Sequence, residues 1–102
     1  MVGGILYNVT VKVTKEASEE WLQWMKAKHI PDVMDTGLFV EYKICRILHD
    51  EEDGDTFAIQ YLCKNMDDFK AYQDQFAKPL QAEHAERYKD KYFAFRTLME
   101  VV

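Results

Sequence analysis

The sequence predicts one α+β domain in the order β-α-β-β-α-β, an antiparallel four-stranded sheet with its helices on one face. Three observations lead there. The segment from Ile5 to Val13 alternates strictly between an apolar and a mixed set of side chains. Two β-branched and aromatic runs, "LFVEYKICRIL" and "TFAIQYLCK", are joined by the acidic loop "HDEEDGD". Two stretches with apolar residues at helical spacing interrupt the strands, and a further alternating run, "YFAFRTLMEVV", follows the second of them.

In the first strand Ile5, Tyr7, Val9, Val11 and Val13 form one face, and Leu6, Asn8, Thr10 and Lys12 the other. Glu16, Glu19 and Glu20 suit a first helical turn, where the helix dipole favours carboxylates. Pro31 argues that this helix ends near His29 or Ile30, so it is expected over 16–30. Strands two and three form an antiparallel hairpin across the acidic loop and its Gly54. Asn65 can cap a second helix that carries Met66, Phe69, Tyr72 and Phe76 on one side. Pro79 is expected to break that helix and leave a second piece over 80–89. In strand four, Phe93, Phe95, Thr97, Met99 and Val101 share the face expected under the helices. Right-handed crossovers then place strands one and three centrally, which is the split βαβ or ferredoxin-like arrangement.

A chain of 102 residues fits one domain with one core. Its 13 basic residues are scattered among 18 acidic ones, for a net charge of −5, which argues against tracking a nucleic-acid backbone or an anionic membrane surface. No apolar run approaches the ~20 residues of a membrane span, and "MVGGILYNVTV" reads as a strand, so a cytoplasmic protein is expected. Cys45 should lie opposite a position near Gln60, leaving Cys63 three residues, or ~10 Å, along the strand, so both thiols are expected to be free.

The sheet face away from the helices is expected to carry Leu6, Asn8, Thr10 and Lys12, then Ala58, Gln60 and Leu62, then Ala94, Arg96, Leu98 and Glu100. Such a half-apolar face calls for a cover, and a single domain has no element left to supply one. A homodimer with two such faces apposed is the simplest solution.

The stretches "WLQWMKAKHIPDVMDTGLF", "YKICRIL" and "AEHAERYKDKYFAFRTLMEVV" resemble a bacterial family of about this length known as a domain of unknown function, over nearly the whole chain. More remotely, a helix ending in His, then Pro, then Gly-Leu-Phe opening a strand is similar to the dimeric α+β-barrel superfamily. That superfamily includes small monooxygenases, haem-degrading enzymes, muconolactone isomerases and ligand-binding proteins without catalysis. The resemblance implies a fold and a dimer but does not choose among chemistries.

His29 lies seven residues from Leu22 and four from Met25, on the apolar stripe with Trp21. It is either a core histidine bonded internally or, as the superfamily resemblance suggests, a group lining a pocket between helix and sheet. In the pocket it would act as a general base or as a ligand's hydrogen-bond partner. His84, four residues from both Leu80 and Tyr88, occupies a similar stripe. With His29 it makes at most half a metal site, because no third ligand stands at a telling spacing, so no metal is expected. His49, beside the acidic loop, reads as solvated. Arg96 interrupts strand four on the face that needs covering, so it requires a partner. The candidates are a network with Glu100, Gln60 or Asn8, across the dimer, or a ligand carboxylate. Alternation places Arg46 on the helix side unless a bulge reverses it. Trp21 reads as packing, and Trp24 as the edge of an interface or pocket. No glycine-rich phosphate loop, Ser-His-Asp set or paired-carboxylate site is present, and no cofactor is implied.

Three functions fit these observations. One is a non-catalytic dimeric module for a small molecule, and another is a structural dimer. The third is a cofactor-independent monooxygenase or isomerase acting on a small conjugated or aromatic molecule, with His29 as proton shuttle and Asn8, Gln60, His84 or Arg96 lining the ligand site.

Overall fold

A computed structural model of the chain describes residues 2–48 and 52–102. Strand β1 (Ile5–Val13) is followed by helix α1 (Lys15–Trp24), a π turn (Met25–His29) and helix α2 (Ile30–Met34). Strands β2 (Glu41–Arg46) and β3 (Asp55–Cys63) come next. The second helical layer is α3 (Met66–Tyr72), a π turn (Gln73–Ala77) and α4 (Lys78–Arg87), and β4 (Tyr92–Glu100) completes the sheet. The sheet order is β2-β3-β1-β4 with every neighbouring pair antiparallel, which is the ferredoxin-like topology. The acidic hairpin loop and His49 fall partly or wholly outside the described residues.

Neither proline ends its helix. Pro31 and Pro79 each stand in the first turn of the segment that follows a π turn, α2 and α4. A proline at the start of a helical segment lacks an N–H that the widened turn before it does not call upon, so the chain runs on. The first helical layer therefore continues four residues beyond the expected end, to Met34, and the second is continuous through Pro79. Gly37, with φ +79°, then turns the chain out of α2, its N–H reaching the Met34 carbonyl at 3.1 Å. Asn65 caps α3 as its position suggests, accepting from the Asp68 N–H at 2.8 Å.

Each π turn also shifts the buried stripe by one position. On the first layer the buried residues from Trp21 onward are Trp21, Met25, Ile30 and Val33, with a five-residue step where an α-helix would take four. The Ile30 N–H bonds to the Met25 carbonyl across that step. Ile30 thereby takes the core position that α-helical counting assigns to His29. On the second layer Tyr72 is followed by Ala77, so Ala77 enters the core and Phe76 is only half-buried.

The core lies between this layer and the sheet face carrying Tyr7, Val11, Phe57, Ile59 and Tyr61. The hairpin register differs from expectation by two residues: Cys45 lies opposite Ala58, which puts Cys63 about 17 Å along β3 and on the other face. Both thiols are free, Cys45 exposed and Cys63 buried. Gly54 is required at the mouth of that hairpin, because a Cβ there would stand 2.5 Å from the Val13 carbonyl oxygen. Arg46 pairs in register with Phe57 and its guanidinium sits 4.8 Å from that ring, on the helix side as alternation indicates.

Strand β4 has the opposite phase to the one expected. Its register with β1 pairs Val13 with Tyr92, Val11 with Ala94, Val9 with Arg96 and Tyr7 with Leu98. Tyr92, Ala94, Arg96 and Leu98 therefore face the helices, while Phe93, Phe95 and Met99 lie on the open face, at 67%, 52% and 38% exposure. Arg96 is not part of a network with Glu100, Gln60 or Asn8 on the open face. That face is correspondingly more apolar than the sequence suggests.

Candidate functional site

Inverting β4 brings Arg96 to the same side of the sheet as His29 and His84. His84, on α4, is buried, and its Nε2 accepts from the Trp21 indole N–H at 2.8 Å. Since that nitrogen is an acceptor, the ring's proton is on Nδ1. Its edge meets the Tyr92 ring at 4.6 Å between centroids. Burial, with the nearby His29 and Arg96 charges, pushes its pKa down to about 4. The ring is neutral at neutral pH.

His29 occupies the last position of the π turn, with its ring centroid 5.8 Å from that of His84 and 5.4 Å from Trp24. Displacement from the core stripe leaves it half-buried against the cavity. Its Nδ1 is buried and has no hydrogen-bond partner. A buried polar atom left unsatisfied costs about 1–3 kcal/mol, a cost that an acceptor or donor reaching it would remove. Burial holds the His29 pKa below the ordinary imidazole value, against the opposing pull of Glu83 and Asp32.

At the outer edge of the cavity, Arg96 Nε donates to the Tyr7 hydroxyl at 3.0 Å, and Gln81 Nε2 donates to the same oxygen at 3.5 Å. With both lone pairs of that oxygen engaged, the Tyr7 O–H remains a free donor. The guanidinium keeps its Nη groups for another acceptor, and among the described residues no carboxylate forms an ion pair with it. Apolar walls come from Val9, Met25, Val33 and Ile59. The cavity offers only about 30 Å³ to the centres of water molecules. Beyond Tyr7, Tyr72, Gln81 and Arg96, which border both spaces, it meets a groove of about 290 Å³ floored by Phe69 and Leu98.

Of the residues singled out in the sequence, the structure gathers His29, His84 and Arg96 around this cavity and leaves Asn8 and Gln60 elsewhere. Those two are register partners on the open face, where Asn8 Nδ2 donates to Thr10 Oγ1 at 2.9 Å. Tyr7, Tyr72 and Gln81 were not singled out. Tyr7 carries a legible signal all the same: a lone phenol on an otherwise aliphatic strand face must find a partner for its hydroxyl. Among the described residues no group of three His, Cys, Asp or Glu side chains stands close enough to hold a metal ion.

This geometry can be set beside known proteins. The model of a family described as a domain of unknown function (DUF4286) matches residues 4–102. The chain belongs to that family. No curated protein matches its sequence. Among solved structures, the fold is similar to a dimeric ferredoxin-like protein from an uncultured marine organism, at TM-score 0.70 and 12% identity over 97% of this chain and 95% of that one. An EthD-like protein from Ralstonia eutropha is similar at TM-score 0.71 and 16% identity, over 100% and 95% of the two chains. A variant of SnoaB, a cofactor-independent oxygenase from Streptomyces nogalater, is similar at TM-score 0.68 and 14% identity, over 98% and 94%. At such identities the likeness is one of fold. Members of this fold thus include monooxygenase-like proteins, and the DUF4286 chain shares their ferredoxin-like architecture.

Proposed function

We propose that the protein is a homodimeric small-molecule-binding module whose ligand site is the cavity between the helices and β1, β3 and β4 together with the larger groove that opens from it. One observation carries this reading: the buried Nδ1 of His29 has no partner, and His29 lines a cavity that His84, Tyr7, Gln81 and Arg96 also border. The dimer is supported by the open face, where Leu6, Leu62, Phe93, Phe95 and Met99 make an apolar surface that no element among the described residues covers. Its occupant is taken to be a second copy, in keeping with the dimeric state of the ferredoxin-like neighbour. Asn8 and Gln60 would then face the partner subunit. A cytoplasmic location fits the exposed, unpaired Cys45. No helix among the described residues is long and apolar enough to cross a membrane.

The test is calorimetric titration of the purified protein with a panel of small aromatic and conjugated molecules, repeated with Leu98→Trp, which fills the groove. Binding by the wild-type protein that the substitution abolishes, with the fold kept, supports the reading. Identical behaviour of both proteins refutes it.

A second reading is favoured by the state of His29, a neutral imidazole with an uncommitted nitrogen, as a general base requires. In it the protein is an isomerase, returning at one carbon of a conjugated substrate the proton taken from another. The other chemistry open to such a base is that of a cofactor-independent monooxygenase, in which a substrate CH2 becomes C=O, supplying all four electrons and both hydrogens, while dioxygen leaves one atom in the product and one in water. His29→Gln that keeps ligand affinity and loses turnover distinguishes this reading from the first.

A further inference from the structure

We infer that the ligand is a small aromatic carboxylate, with its acid group held by Arg96 and the Tyr7 hydroxyl and its ring in the groove between β4 and the second helical layer. This rests on the binding reading above and adds the ligand's chemical class.

Charge is the first argument. The chain carries 18 acidic residues against 13 basic ones, yet neither the cavity nor the groove beside it is lined by an Asp or Glu. Arg96 is the one formal charge lining them among the described residues. The contrast with the neighbouring groove between the helices is direct, since that one is lined by Asp32, Asp35 and Glu83. An acidic protein that clears carboxylates from one concave site and leaves a guanidinium there presents a local site for an anion.

Geometry is the second. Arg96 is tied through Nε to Tyr7, which fixes the plane of the guanidinium while its Nη groups stay available. The Tyr7 O–H, with its oxygen already accepting, points a third donor from the same place. Fixed donors from a planar fork match the two oxygens of a carboxylate. Shape is the third argument, because the groove that opens from this point is walled by Phe69, Tyr72 and Leu98, surfaces that pack against a flat ring. Its volume of about 290 Å³ is near the lower end for sites that take small organic ligands.

The experiment titrates the intact protein with naphthalene-2-carboxylate and with naphthalene-2-carboxamide, which has nearly the same shape and no charge. The acid should bind about tenfold more tightly than the amide, the difference a charge-assisted hydrogen bond makes. Arg96→Gln should remove that preference by weakening the acid alone, Arg96→Lys should restore part of it, and Tyr7→Phe should weaken the acid several-fold. Equal affinities for acid and amide, or an unchanged preference in Arg96→Gln, would overturn the carboxylate assignment and leave the binding reading standing. Binding of neither probe, together with wild-type behaviour of Leu98→Trp across the wider panel, would overturn both.

Discussion

On the helix side of the sheet Val11, Phe57, Ile59 and Tyr61 are almost without solvent contact, whereas on the other side Phe93 and Phe95 stand more than half exposed. The two faces contain comparable apolar chemistry, but only one has been closed by the chain's own helices. The closed face is interrupted where β4 supplies Ala94 and Arg96, a small residue and a charged one, and the cavity forms there. The open face runs apolar along the same strand. Strand β4 thus divides its side chains, its small and polar members bordering the cavity and its large apolar members lying on the uncovered face. The proposed dimer would cover the latter.

Four experiments would break or sharpen that comparison. The largest effect is expected from Phe95→Glu on the open face. A symmetric interface buries the substitution twice, and an unpaired buried carboxylate costs about 3 kcal/mol or more, so the dimer should weaken by roughly four orders of magnitude while each subunit stays folded. Sedimentation would report a shift from dimer to monomer, and a wild-type protein that sediments only as a monomer would remove the premise.

On the closed face, Ile59→Ala deletes a side chain with no solvent exposure and should cost about 2–5 kcal/mol of stability in urea unfolding. A cost below about 1 kcal/mol would mean that the helix-side core is looser than its burial indicates.

The third prediction concerns acid. His84 takes up its proton near pH 6.5 when unfolded but only near 4 when folded, so between those values the unfolded chain binds the proton more readily. This contribution to stability is complete above pH 6.5 and is lost as pH falls through about 4, on the order of 3 kcal/mol in all. His29, also held below its ordinary value, acts in the same direction. Urea midpoints between pH 7 and pH 4 should fall less steeply in His84→Gln, whose amide oxygen can still accept from Trp21. An unchanged slope would mean that His84 is not the titrating group.

The smallest effect is expected at Cys45, exposed on the open face of the edge strand β2. Cys45→Ser should change stability and dimer affinity by no more than about 0.5 kcal/mol. A larger loss would extend the interface across the whole sheet rather than its β1 and β4 half.

Much of this was readable in the residues. The alternation from Ile5 to Val13 assigns both faces of β1 because one of its two sets is wholly apolar, and Asn65 marks the start of α3 by its capping chemistry. Strand β4 was not readable in the same way. Both of its alternating sets contain large apolar groups, and the set free of charge looked like the core. The candidate site inherited that ambiguity, since Arg96 changes sides with the phase of the strand, and Tyr7 and Gln81 acquire their roles only once it arrives.

By itself, the sequence determined the order of elements, the central pair of strands and the apolar face of β1, since these follow from side-chain period and from the handedness of crossovers. Only the tertiary structure decided that both helical layers run through their prolines, that Ile30 takes the core position next to His29, and that Arg96 meets the two histidines. The physical reason is the same in each case. A one-residue shift in helical step or strand phase changes which side chain faces the core without disturbing the local pattern, and its energy is settled by contacts between segments far apart in sequence.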